Sequence, residues 1–231
     1  MAGLFLPRIP DLRELFIDQV TRSGGTIQDV YDDSGQLYVR ARLPQVKEVR
    51  RRDRVQNGVA MCASGPVIQV HPYTFREVCT NGAIMPRVIG RQTFERIPEP
   101  AGDREVDRLC FEVLEAISVS SSPETFAGSI DRLKGTLLVH SIETEHLVLL
   151  SHMLSESMQR EMLPEILRRL EASGESSAFA VMNAITSLAR DTLDPPTRWR
   201  LEELGGSIGA RLAPPPRERP PAVAKSDVAL V

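Results

Sequence analysis

The chain has 231 residues, 42% of them hydrophobic and 26% charged, which is enough to bury a core without disulfides or a metal. No stretch approaches the roughly 18 uninterrupted apolar residues of a membrane-spanning helix, so no membrane partner is expected. The net charge of −3 is unevenly distributed: between Arg40 and Arg96 there are eleven Lys or Arg against four Asp or Glu, so the rest of the chain is strongly acidic.

The opening Met1–Arg8 is too short for the apolar core of a secretion signal and lacks its basic start. Cys62, Cys79 and Cys110 are odd in number and have no C-x-x-C spacing. Together these features point to reduced thiols and a cytoplasmic location.

The first predicted element is a helix over Asp11–Arg22, with Leu12, Leu15, Phe16 and Val20 on one face and Gly24-Gly25 after its end. Two strands follow, Thr26–Tyr31 and Gln36–Leu43. In the second, Leu37, Val39, Ala41 and Leu43 alternate with Gln36, Tyr38, Arg40 and Arg42. A period of two predicts one buried and one solvated face, with both arginines on the solvated one. Pro44–Arg54 reads as a charged connection. Val55–Ala63 and Val67–Val70 flank a Ser-Gly-Pro turn, and Tyr73–Thr80 leads into Asn81-Gly82, a two-residue hairpin signal. Ala83–Val88 is the expected returning strand, in a β-rich region spanning 26–97.

After Pro98 the period changes. Helices are expected over Asp103–Val119, from Ser122-Pro123, over Glu143–Met158 and over Glu161–Ala172, the last with Pro164 in its first turn. Another is expected over Ser176–Thr192, where Phe179, Met182, Ile185 and Leu188 form a stripe. A final helix starts at Asp194-Pro195-Pro196, with Gly205-Gly206 as its candidate break. The helical region thus covers 103–212. The expected organisation is a single α+β domain over residues 1–212 and a disordered proline-rich tail over 213–231.

Two stretches, Arg54-Val55-Gln56-Asn57-Gly58 and Phe75-Arg76-Glu77-Val78-Cys79-Thr80-Asn81-Gly82-Ala83-Ile84, resemble a phage- and plasmid-associated family, domain of unknown function 932. Its members carry an Asn-containing polar strand and a Cys-(Thr/Ser/Gln)-Asn-Gly turn. Asn183-Ala184-Ile185-Thr186 resembles the family's helical Asn-Ala-x-Thr element. The resemblance singles out Asn57, Cys79, Asn81, Gly82, Asn183 and Thr186. It implies a setting in DNA metabolism, defence or counter-defence on mobile elements.

The chemistry-bearing residues point to no reaction. Cys79 lacks a base on its own face of the expected strand. His71, His140, His146 and His152 match no zinc spacing. Gly205-Gly206-Ser207-Ile208-Gly209 lacks the lysine and the preceding strand of a phosphate loop. No cofactor and no metal are expected.

The main charged feature is the run from Lys47 through Arg50, Arg51, Arg52 and Arg54, with Arg40, Arg42, Arg76, Arg87 and Arg91 on the adjoining strands. Such a surface contacts phosphates, and Tyr38, Tyr73 and Phe75 offer faces for base stacking. Three readings stand: nucleic-acid contacts, a solvated loop, and a site for an acidic protein. The first makes the chain a non-enzymatic protein that binds DNA or RNA through a basic sheet face. Its rival is an interaction or assembly subunit, self-associating through the helical half. Pairing between the basic and acidic halves would cancel the electrostatic case for the first.

Overall fold

The computed structural model describes residues 9–86, 92–95, 102–141 and 144–213. The chain is an α+β protein: helix α1 (Ile9–Arg22), an antiparallel sheet, then six helices. The strands are β1 (Thr26–Asp33), β2 (Gln36–Arg50), β3 (Asp53–Ser64), β4 (Val67–Arg76), β5 (Asn81–Ile84) and β6 (Thr93–Glu95). The first five form a meander in chain order. β6 joins β4 beside β5, pairing with Val67–Gln69 while β5 pairs with Tyr73–Arg76. The helices are α2 (Asp103–Ser120), α3 (Pro123–Leu137), α4 (Thr144–Met153), α5 (Glu156–Ser173), α6 (Ala178–Asp191) and α7 (Pro195–Leu212). Among the described residues no helix is long and apolar enough to cross a membrane. Arg87, Val88, Arg91 and the tail beyond Ala213 lie outside the described residues.

Pro44–Arg54 is not a loop. β2 continues to Arg50, and the turn of the β2–β3 hairpin is Arg51-Arg52, with Arg52 at φ 63°. Pro44 is tolerated because the β2–β3 register shifts between Arg42 and Val46, where an interrupted ladder needs no N–H from proline. β4 likewise passes through Pro72, whose carbonyl accepts from Met85 N at 2.8 Å.

Asn81-Gly82 is not a turn. The chain reverses over Glu77–Thr80, with Thr80 at φ 52°, and Asn81 and Gly82 open β5 opposite Arg76 and Phe75. Gly82 is required for a different reason: a Cβ there would overlap the Tyr73 hydroxyl and ring.

The helices show three differences from expectation. The fourth ends at Met153, and Ser155 caps α5 by accepting from Met158 N. Pro164 lies inside α5, beyond its first turn. α7 runs unbroken through Gly205-Gly206, where glycine serves close packing: a Cβ on Gly206 would overlap the Ile84 carbonyl.

Both faces of the sheet are covered. Leu37, Val39, Ala41, Val59 and Met61 pack under α1 and α2 through Phe16, Leu109, Val113 and Ile117. Val55 and Ala83 meet α3 and α6 through Phe126, Ile130, Leu133, Phe179 and Met182. Tyr38, Ala60, Tyr73, Phe75 and Ile84 form the opposite face and pack with Trp199 of α7. The expected solvated face of β2 is therefore buried, because a helix 160 residues downstream lies over it. A further core joins α4–α7, centred on Leu150, Ile166, Ile185, Leu201 and Ile208.

Candidate functional site

The basic residues divide into three environments. In the first, Arg40 is only 2% exposed; its Nε donates to Glu202 at 2.6 Å and its Nη1 to Asp29 at 3.1 Å. Arg198 of α7 contacts the same two carboxylates. Burial alone would lower the Arg40 pKa, but Glu202 and Asp29 outweigh it and hold the guanidinium well above its ordinary value. For Glu202, burial pushes the carboxyl up against the pull of Arg40 and Arg198. Tyr73 is 1% exposed beside this cluster, and burial raises its hydroxyl far above the ordinary range. Arg42 is half-buried, with its guanidinium 4.7 Å from the centre of the Phe75 ring.

Arg40 and Tyr73, expected to touch nucleic acid, are therefore structural. So are the stacking aromatics Tyr38 and Phe75, both buried. The physical reason is the same for all four: α7 covers the face on which they lie.

The second environment is the tip of the β2–β3 hairpin. Lys47, Arg51, Arg52 and Arg54 are exposed there. Arg54 approaches Glu77 at 3.4 Å, and Lys47 Nζ lies 5.8 Å from the Phe126 ring centre. Arg51 and Arg52 have no ion-pair partner among the described residues.

The third is a cleft of about 230 Å³ between the end of the hairpin and helices α5 and α6. Arg50, Arg76 and Arg169 line it, with Cys79, Asn81 and Asn183. Arg76 binds Asp53 through Nε and Nη2, both at 2.6 Å, a bidentate fork that fixes the guanidinium plane. Arg50 reaches Asp53 at 3.2 Å and Glu175 at 3.1 Å. For Arg50, burial disfavours the charge, but Glu175 and Asp53 prevail and raise its pKa. Both guanidiniums also lie about 5 Å from the Phe179 ring centre, at 5.3 Å and 5.0 Å.

The residues marked by the resemblance act as pins between sheet and helices. Asn57 donates to Ser121 O at the α2–α3 junction, at 2.9 Å, and its Oδ1 accepts from Gly58 N. Asn81 Nδ2 donates to Thr186 Oγ1 at 2.7 Å, tying β5 to α6. Arg190 holds the Cys79 carbonyl at 2.8 Å. Thr186 and Arg190 thus tie α6 to β5 and to the turn before it, while Asn183 lines the cleft.

Sequence reasoning missed Arg169, Glu175 and Ser187 of the cleft, and Glu202 and Trp199 over the sheet. Arg169, Glu175, Trp199 and Glu202 sit in stretches that carry no motif, and Ser187 lies just beyond Asn183-Ala184-Ile185-Thr186. The two halves do pair in part: Arg40–Glu202 and Arg50–Glu175 are separated by 162 and 125 residues. Among the described residues no cluster of His, Cys, Asp or Glu could hold a metal ion.

No protein-family model matches this chain, and no curated protein or solved structure does.

Proposed function

We propose that the chain is a non-enzymatic, nucleic-acid-associated protein that holds phosphate backbone through the β2–β3 hairpin tip. The supporting observation is the Arg51-Arg52 turn: two adjacent, exposed guanidiniums without carboxylate partners among the described residues, flanked by Lys47 and Arg54. The footprint is smaller than a whole basic sheet face, because Arg40, Arg42 and Arg76 are wholly or partly buried and Arg50, though exposed, is paired with Asp53 and Glu175. With Tyr38, Tyr73 and Phe75 buried, binding rests on phosphates and shows little sequence preference. The resemblance to a phage- and plasmid-associated family favours a mobile-element setting.

The test is binding of labelled single-stranded and duplex oligonucleotides at several salt concentrations. Changing Lys47, Arg51, Arg52 and Arg54 together to Gln should weaken binding to all sequences alike. It should flatten the log K against log salt slope by about 0.9 per lost phosphate contact on duplex DNA, or about 0.7 on a single strand. A folded parent protein that binds neither DNA nor RNA at about 50 mM salt overturns the proposal and favours an interaction or assembly subunit.

A further inference from the structure

The cleft between the hairpin and α5–α6 has features that the hairpin reading does not use. Its three arginines are held by carboxylates yet each keeps a spare donor. Arg76 commits Nε and Nη2 to Asp53, Arg50 commits Nε to Asp53 and Nη1 to Glu175, and Arg169 commits Nε to Glu165 and Nη1 to Asp191 and Ser187. That leaves Arg76 Nη1, Arg50 Nη2 and Arg169 Nη2 without partners among the described residues. Each guanidinium is oriented in advance, so a ligand meets donors whose side-chain freedom is already restricted.

Asn81 supplies an independent observation. It is 3% exposed and lines the cleft. Thr186 Oγ1 donates its proton to the Met182 carbonyl at 3.0 Å, so Thr186 accepts from Asn81, and Nδ2 is the atom that faces it. Asn81 Oδ1 is then a buried acceptor with no partner among the described residues. Such an atom is costly to leave unsatisfied, which makes the wall of the cleft at Asn81 a place of stored cost. The Asn183 side chain, also on the cleft wall, has no partner among the described residues.

We propose that this cleft binds the terminal phosphate of a small phosphate monoester through the spare donors of Arg50, Arg76 and Arg169, with Asn183 beside them. Three separate guanidinium donors match the three terminal oxygens of a phosphate monoester better than the two of a carboxylate. Counting Arg168 and Arg190, the local network holds five guanidiniums against Asp53, Glu165, Glu175 and Asp191, one positive charge in excess. The cleft therefore favours an anion. Two sources share this chemistry: a free nucleoside monophosphate, and the terminal phosphate of a nucleic-acid strand. The inference does not rest on the hairpin reading.

The test is calorimetric titration of the full chain with inorganic phosphate, a nucleoside 5′-monophosphate, the unphosphorylated nucleoside, and oligonucleotides with and without a 5′-phosphate. Location is read from the alkylation rate of Cys79, which lines the cleft, with Cys110 on α2 as the reference thiol. The expected result is binding of the monophosphate but not the nucleoside, with Cys79 alkylation slowed several-fold and Cys110 unaffected. Arg169→Gln combined with Asn183→Asp should weaken binding at least tenfold, taking a lost charge-assisted contact as about one order of magnitude. Binding of only the 5′-phosphorylated oligonucleotide assigns the strand-end source. Arg51→Gln with Arg52→Gln should weaken oligonucleotide binding and leave monophosphate binding intact, which separates this site from the hairpin. Absence of any phosphate-dependent binding to the folded parent, or binding that leaves Cys79 unprotected, overturns the proposal.

Discussion

The two ends of β2 carry the same kind of residue and put it to opposite uses. At one end Arg40 lies under α7, bonded to Glu202 and Asp29 and sealed from water. Ten residues on, β2 ends at Arg50, and Arg51 and Arg52 stand in solvent at the hairpin turn. The charge is identical, but the cover differs. A buried guanidinium depends on its partners because its desolvation must be offset, whereas an exposed one is compensated by water and left free for an external anion.

The largest expected difference between the two ends is in stability. Glu202→Ala leaves Arg40 and Arg198 short of their shared carboxylate inside the protein. Removing one member of a buried pair should destabilise the fold by about 3–5 kcal/mol, measured by urea denaturation. Arg51→Gln with Arg52→Gln should leave the same midpoint unchanged, since exposed charges contribute little to folding. A comparable loss at both ends would erase the distinction.

The cover itself can be loosened next. Gly206 sits in the interior of α7, where alanine would be favoured by about 1 kcal/mol on helix propensity. Its Cβ would meet the Ile84 backbone carbonyl, which has no side-chain freedom with which to yield. Steric overlap should win, so Gly206→Ala is expected to destabilise by about 1–3 kcal/mol in the same denaturation experiment. A stabilised variant would mean that α7 stands further from β5 than described.

A smaller effect concerns the hinge between sheet and cleft. Asn81→Ala removes the donor to Thr186, whose hydroxyl still has the Met182 carbonyl, and it also deletes the unsatisfied Oδ1. The two changes oppose each other, and a net loss of about 1 kcal/mol is expected. Loss of 3 kcal/mol or more would show that Oδ1 has a partner, such as an ordered water, in the unliganded protein.

The smallest effect is the acid response of the α5–α6 surface. Hydrogen bonds from Arg168 and Arg169 hold the Glu165 carboxyl down at about 2, and those from Arg190 and Arg169 depress that of Asp191. Folded values below the unfolded ones mean that this contribution is complete above the ordinary carboxylate range and drains away as pH falls through the folded values. Glu165→Gln should therefore differ from the parent near neutral pH and converge with it between about pH 5 and pH 2, followed by denaturant midpoint against pH. A gap that widens on acidification would contradict the assigned pairing.

Much of the architecture was legible because local periodicity reports local burial. The alternation of Leu37, Val39 and Ala41, the Ser-Gly-Pro turn before β4, and the 3.6-residue stripe of α6 all fall where the pattern placed them. The failures share a cause. Asn81-Gly82 has the composition of a hairpin turn, but what demands glycine there is the Tyr73 ring across the sheet, a contact invisible to local chemistry. Pro44 reads as a strand breaker, yet a register shift in the neighbouring pairing admits it. Of the site, the hairpin cations and Cys79, Asn81 and Asn183 could be named in advance, whereas Arg169 and Glu175 carry no signal until α5 packs on α6 and its end comes beside Arg50.

The sequence by itself determined the division into a β-rich and a helical half, one core face of β2 and the apolar stripe of α6, and the presence of a concentrated basic stretch. These follow from side-chain periods of two and 3.6 and from counting charges, which need only neighbours along the chain. The tertiary structure alone decided which arginines meet water. That outcome depends on α7 bringing Glu202 across more than a hundred residues to cover Arg40, while Arg51 and Arg52 are left in solvent. Burial and charge pairing are properties of proximity in space, and proximity over such separations is set by how the helices pack, not by any residue's neighbours in the chain.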